Sequence, residues 1–367
     1  ISLVLISTLL HKYFTRNFNY WKSKNVIYIK PTPVLGNLLP VLKMKTTLGE
    51  WLADLCRQAK KDYFGIFVFD RPVLVVQSPQ LVRLILQKDF EYFQDRTIAH
   101  YEHDPILSNL MFLSKNPRWR AVRSKLTPVF STGKLKQMFP HVLKEGNAML
   151  EYISNLAHMP DVESKEICAK YSTNVIAKCA FAIDAKCFTT ENAEFRTLGK
   201  QLFDFRFETA FRLFTAFLAP KLANAFDIAF FNPRIINRLC DIFRDILTTR
   251  MSNPEYKGKD LIDIFIEESQ DKKNEIFDEH VIMGQALQFF AAGHETVAST
   301  MSFALYELCV RVDLQDRLRN EIFSKLTEHG GITWEAVSEM KYLDMCVSET
   351  LRRYPVLPFL DRTCMRD

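Results

Sequence analysis

Ala292-Gly293-His294-Glu295-Thr296 lies inside a nearly unbroken apolar run over 281–312. With Asp278 and Glu279 placed to complement a helix dipole, the stretch predicts a helix over 278–312. At about 1.5 Å per residue it would be about 50 Å long. Apolar residues occupy nearly its whole circumference, so it belongs either in the core of a large domain or across a membrane. A charge at the centre of a membrane span costs roughly 3 kcal/mol, so His294 and Glu295 favour the core. A buried carboxylate needs a partner or a purpose. Set beside the alcohol of Thr296, Glu295 points to proton transfer. His294-Glu295 also begins H-E-x-x-H, the zinc-protease pattern, but position 298 is Ala298 and that reading fails.

The chain has 367 residues, 48% hydrophobic and 25% charged, as an ordinary globular fold has. Its 30 Phe against 4 Trp and 12 Tyr suit a large apolar interior or a pocket for apolar ligands. A net charge of +5, with no basic run interleaved with aromatics, gives no sign of a nucleic-acid partner. The 8 cysteines form no C-x-x-C pair and read as reduced core residues of a cytosol-facing protein. His100-x-x-His103 is at most half a metal site and reads as a solvated loop.

Residues 1–10 (ISLVLISTLL) are uncharged and apolar but half the length of a membrane span. His11, Lys12, Arg16, Lys22, Lys24 and Lys30 follow. The pattern reads as a truncated N-terminal membrane anchor over 1–12, with positive charge held on the cytosolic side. An amphipathic surface helix and a signal-peptide core are the alternatives. A basic, Pro-rich connector over 13–40 ends in Pro31, Pro33, Gly36 and Pro40. Runs over 64–69 and 73–77 flank Asp70-Arg71-Pro72 as a hairpin. Beyond it the periodicity predicts helices over 78–86, 119–129, 139–156, 166–182, 193–218, 235–251, 260–269, 278–312, 314–326, 334–340 and 341–353. The fold class is mainly α with a small β portion.

Ala292 to Thr296 resembles the oxygen-activation motif, A/G-G-x-D/E-T/S, of the cytochrome P-450 monooxygenases. Three further matches follow the family's order. Trp119 and Arg123 match W-x-x-x-R, Glu349 and Arg352 match E-x-x-R, and Arg362 follows Pro355 as the family's second propionate ligand does. Helical spacing brings Trp119 and Arg123 to one face. The string from Asp104-Pro105 through Trp119 to Phe130 is similar to the microsomal xenobiotic-metabolising branch of the insect type.

The resemblance implies the P-450 fold, incomplete at its C-terminus, with residues 41–367 as a partial haem-dependent monooxygenase domain. It implies a helix bulged at Ala292 and Gly293 beside haem b, a local π-type distortion. Thr296 would then hydrogen-bond dioxygen and its relay water, and Glu295 would supply protons. Trp119, Arg123 and Arg362 would hold the haem propionates, and Glu349–Arg352 would be a structural lock. Substrate-pocket candidates are Phe207, Phe211, Phe290, Ala291, Leu357 and Phe359. The axial cysteine loop, F-x-x-G-x-x-x-C, does not occur in residues 1–367. No metal ligand is therefore assigned in this chain; the axial Cys is expected beyond Asp367, and the fragment as written is expected to be inactive. Implied partners are a lipophilic small molecule, O2, the membrane, and an NADPH-dependent flavoprotein reductase. The reductase would dock on Arg118, Arg120, Lys125, Lys134 and Lys136, supplying electrons from NADPH through its flavins. The implied location is the endoplasmic reticulum membrane, catalytic domain facing the cytosol. A non-catalytic helical membrane-associated protein is the rival reading.

Overall fold

The β-branched and aromatic runs around Asp70 pair as the sequence predicts, in a two-stranded antiparallel sheet. Strand β1 (Tyr63–Val68) faces β2 (Arg71–Val76), with Ile66 opposite Val73 and Phe67 opposite Pro72. The computed structural model describes residues 2–156, 161–204, 206–253, 255, 260–270 and 276–366, so Pro160, Phe205 and most of the 253–259 loop lie outside the described residues. Its contacts define two units, Ile1–Thr97 with Leu357–Asp367, and Ile98–Val356.

In the first unit, α1 (Ser2–Thr15) leaves Leu5, Ile6, Leu9 and Leu10 exposed. No helix among the described residues is long and apolar enough to cross a membrane. The segment read as a connector is packed against the hairpin. Trp21 lies over Gly65, where an added Cβ would fall 2.4 Å from the indole, and its Nε1–H donates to the Ile66 carbonyl at 3.0 Å. Asn37 accepts the Phe67 N–H at 2.7 Å and donates to the Lys30 carbonyl at 3.2 Å. Gly36 makes this turn possible: its φ is +60°, and a Cβ there would meet the Phe67 carbonyl oxygen at 2.3 Å. Helix α2 (Leu48–Ala59) was not foreseen, although Thr47 and Glu50 form a capping box at its start. It buries Trp51 and Leu55.

The second unit is helical: α3 (Arg118–Leu126), α4 (Thr132–Asn155), α5 (Ser164–Phe181), α6 (Glu194–Leu202), α7 (Phe207–Leu218), α8 (Pro233–Ser252), α9 (Leu261–Gln270), α10 (Glu279–Val310), α11 (Val312–His329) and α12 (Lys341–Arg353). Two predictions are corrected. Helix α4 starts at Thr132 rather than at 139 and runs through Pro140, whose missing N–H costs one hydrogen bond but does not end it. The single helix expected over 193–218 is two, because Phe203 leaves the α6 axis to pack its ring 5.7 Å from Phe231 and 5.7 Å from His294.

Asp278 caps α10 as the sequence suggested, its side chain accepting the Val281 N–H at 2.8 Å. The N-terminal half of α10 is enclosed. Phe290 meets Phe195 edge-on at 5.3 Å, and Phe243 lies 4.7 Å from Phe181. Each such fully buried Phe contributes about 1.5–3 kcal/mol. The C-terminal half carries exposed Leu305, Tyr306 and Val310.

Candidate active site

Two faces of α10 separate at the Ala292–Thr296 turn. Phe290, Ala291, His294 and Ala298 are buried. Ala292, Thr296 and Thr300, four residues apart, share the other, more open face. The Thr296 hydroxyl donates to the Ala292 carbonyl at 2.6 Å, and that of Thr300 donates to the Thr296 carbonyl at 2.9 Å. These bonds to the preceding turn leave the hydroxyl lone pairs as acceptors on the open face.

The expected bulge is absent: α10 is regular α-helix from Glu279 to Val310. Gly293 serves close packing instead. A Cβ there would fall 2.7 Å from both Cδ1 and Cγ1 of Ile176 on α5, so a larger residue would force Ile176 to shift. Glu295 meets the N-terminal turn of α5, where Lys165 Nζ lies 2.6 Å from its Oε1. The carboxylate thus has the partner its position required. His294 is sealed between helices. Its Nδ1–H donates to the Phe290 carbonyl at 2.9 Å, and its own carbonyl accepts the Ser172 hydroxyl at 2.7 Å. Burial pushes the imidazole pKa down, opposed by the backbone of Phe290 and Gly199, so His294 favours the neutral form.

The predicted pocket residues divide. Phe290 and Ala291 are core, facing neighbouring helices rather than the open face. Phe207 is 82% exposed and stacks on Phe211, centroids 6.2 Å apart, along the outer side of α7. The resemblance named these two as pocket candidates, and spacing alone does not say which phenylalanines of the segment face the core. Leu357 and Phe359 belong to the first unit, Leu357 exposed and Phe359 half-buried.

On α3, Trp119 is half-buried and Arg123 exposed one turn later. Among the described residues no carboxylate pairs with Arg123. In the first unit, Arg362 donates to the Asp361 carbonyl at 2.7 Å while its buried Nε meets no acceptor among the described residues. Arg96, absent from the sequence reading, lies 3.6 Å from the Asp361 carboxylate. Its pKa is pushed down by burial and by the neighbouring charge of Arg362. Arg71 feels Asp361 as well. The buried Arg362 Nε is an unmet donor beside this cluster, and it suits a further carboxylate. Nothing in the local sequence distinguishes Arg96 from an ordinary loop arginine.

Glu349 and Arg352 do pair, Nε–Oε2 and Nη2–Oε1 both at 2.6 Å, but at 58% and 71% exposure. What ties the end of α12 to α10 is Glu307. It accepts from the Tyr354 hydroxyl and pairs with Arg353 at 3.2 Å and Arg311 at 3.1 Å, while Phe303 stacks on Tyr354 at 4.3 Å. Two of the basic residues proposed for docking are already answered, Lys125 by Glu268 at 2.8 Å and Lys136 by Glu335.

Burial raises the thiol pKa of Cys187 to about 12 and those of Cys179 and Cys240 to about 11, so these are inert core thiols. Among the described residues, the cluster with metal-ligand spacing is Glu328, His329 and Glu339, where Lys325 pairs with both carboxylates.

Comparison with known proteins gives this geometry a family. Residues 28–367 match the family model described as Cytochrome P450. Cytochrome P450 6k1 of Blattella germanica is 36% identical over 100% of this chain and 74% of its own length. Cytochrome P450 6j1 of the same insect is 37% identical over 99% and 73%. Probable cytochrome P450 6g2 of Drosophila melanogaster is 35% identical over 99% and 74%. With these relatives, the four motifs in order and the mainly helical fold, the chain belongs to the cytochrome P450 family of haem-dependent monooxygenases.

Proposed function

We propose that this P450 oxidises lipophilic small molecules, xenobiotics foremost, at the endoplasmic reticulum membrane with its catalytic domain facing the cytosol. Electrons come from NADPH through a flavoprotein reductase. The observation that carries the reading is the turn of α10 that puts the Thr296 hydroxyl on the open face and Glu295 on a charged partner.

Donors that suit a haem propionate are present in each unit taken by itself: Trp119 and Arg123 on α3 in the second, and the buried Arg362 Nε in the first. When bound, the haem supplies activation of dioxygen for insertion of one oxygen atom into a C–H bond. The remaining work belongs to side chains. Thr296 accepts a hydrogen bond from water on the open face while its own proton is held by Ala292. Glu295 exchanges protons at Oε1 and Oε2 when it parts from Lys165. Ala292 leaves the face uncrowded.

An apolar substrate is supported by Phe207, Phe211 and Phe226, exposed in and after α7. Membrane association is supported by the exposed apolar side of α1 and the basic residues that follow it. Arg118 and Arg120 on α3 remain exposed for an acidic reductase surface, which would raise docking rate more than affinity. The test is NADPH-dependent O-dealkylation of an alkoxycoumarin by the holoenzyme with and without the reductase. Product that requires the reductase supports the reading. No product with the reductase present, from protein that shows the thiolate Soret band, contradicts it.

A further inference from the structure

The third residue of the Ala292–Thr296 turn has no part in that chemistry, yet it is the most completely buried polar side chain of the motif. His294 is 0% exposed. Phe290 stacks on one face of its ring at 5.0 Å, with planes 20° apart, and the Phe203 ring lies 5.7 Å away. The Nδ1 edge is bonded to the Phe290 carbonyl, and the Nε2 edge faces the Gly199 backbone. That edge points at α6. A Cβ added to Gly199 would fall 2.8 Å from Nε2 and 3.0 Å from Cδ2, so the imidazole edge rests where Gly199 leaves room for it.

One turn earlier on α6, Arg196 is bidentate with Glu166 on α5, at 3.0 Å and 2.7 Å. Lys165, next to Glu166, holds Glu295, next to His294. The charged groups around the imidazole are therefore Arg196 on α6, Glu166 and Lys165 on α5, and Glu295 on α10. Each is already paired, and none of these pairings includes His294. Its contact with α6 is the close approach of the ring edge to Gly199. Helix α6 ends at Phe203, shortly before α7, whose exposed Phe207 and Phe211 the function proposed above takes as support for an apolar substrate.

We propose that His294 is a positioning residue for the reaction: its edge on Gly199 sets how closely α6 approaches the Glu295–Thr296 turn, and thereby the placement of α7 with Phe207 and Phe211. The inference rests on the substrate reading above. A large ring at this position with any residue but glycine at 199 would force α6 outward. A small residue at 294 would let α6 settle inward.

The test is a double-mutant cycle in the holoenzyme, with reductase and an alkoxycoumarin as probe. Gly199→Ala should raise KM at least about fivefold while kcat stays within about twofold, the signature of altered substrate placement rather than lost chemistry. Gly199→Ala combined with His294→Ala gives the new methyl group room and should return KM to within about twofold of the parent. Where Gly199→Ala yields no folded protein, recovery of folded holoenzyme in the double variant is the same rescue. Independent, additive effects, or an unchanged KM in Gly199→Ala, overturn the proposal. A parent holoenzyme without reductase-dependent product marks failure of the functional reading instead.

Discussion

Lys165 on α5 holds Glu295 on α10 with Nζ 2.6 Å from Oε1, so the acid of the oxygen-activation motif is tied to a neighbouring helix rather than free on the open face. Lys165 is 43% and Glu295 22% exposed, so solvent reaches the pair and can separate it. A proton donor held by an ammonium must part from it to turn toward its acceptor. Lys165→Met should therefore raise kcat about two- to fivefold and reduce the solvent isotope effect on turnover, with KM unchanged. An unchanged isotope effect would remove Lys165 from proton delivery.

Gly293 predicts a stability effect that is separable from chemistry. Gly293→Ala drives a methyl group to within 2.7 Å of Ile176 on α5 and should cost about 1–3 kcal/mol of unfolding free energy. Ile176→Ala in the same chain should recover part of that loss. Denaturant unfolding of the four proteins reads both effects. Full tolerance of Gly293→Ala would show that α5 and α10 are further apart than described.

His294 predicts a slope in stability against pH. Its pKa is lowered in the fold from about 6.5, so below that pH the unfolded chain binds a proton that the folded chain refuses. The stabilisation is complete above the unfolded value and is lost as pH falls toward the folded one. One proton corresponds to about 1.4 kcal/mol per pH unit in that window. His294→Gln should flatten this part of the curve in thermal melts. An identical slope in the variant would place the titration elsewhere.

The arginines predict haem retention. Arg123→Gln and Arg362→Gln each remove a charged donor, worth about 1.5–3 kcal/mol, and should speed haem transfer to an apoglobin by roughly 10- to 100-fold. Arg96→Gln should behave likewise, since it shares Asp361 with Arg362. Arg57→Gln, on the exposed side of α2, should change nothing. Equal loss rates in all four variants would detach these arginines from the cofactor.

Much of the site was legible because it lies on one long helix. The apolar run and Asp278 fixed α10 to within two residues at either end, and the turn residues around Asp70 fixed the hairpin. Helix α2 was missed although Thr47 and Glu50 announce it. Other failures are tertiary in origin. Nothing local in Phe290 distinguishes a pocket wall from a residue wedged between Phe195 and Phe243. The partners Lys165, Gly199 and Glu307 are defined by helices distant in sequence that meet the motif helices only in the fold. The bulge implied by the resemblance is missing from α10, where Gly293 instead lets Ile176 pack closely.

The most direct test of the Glu295–Thr296 turn is the fate of electrons in Thr296→Ala. The measurement is the ratio of product formed to NADPH consumed by the reconstituted holoenzyme, with peroxide counted alongside. A hydroxyl that organises protons on the open face of α10 predicts that NADPH use continues while product falls at least about tenfold and peroxide takes its place. A variant that converts NADPH to product as efficiently as the parent would contradict the account.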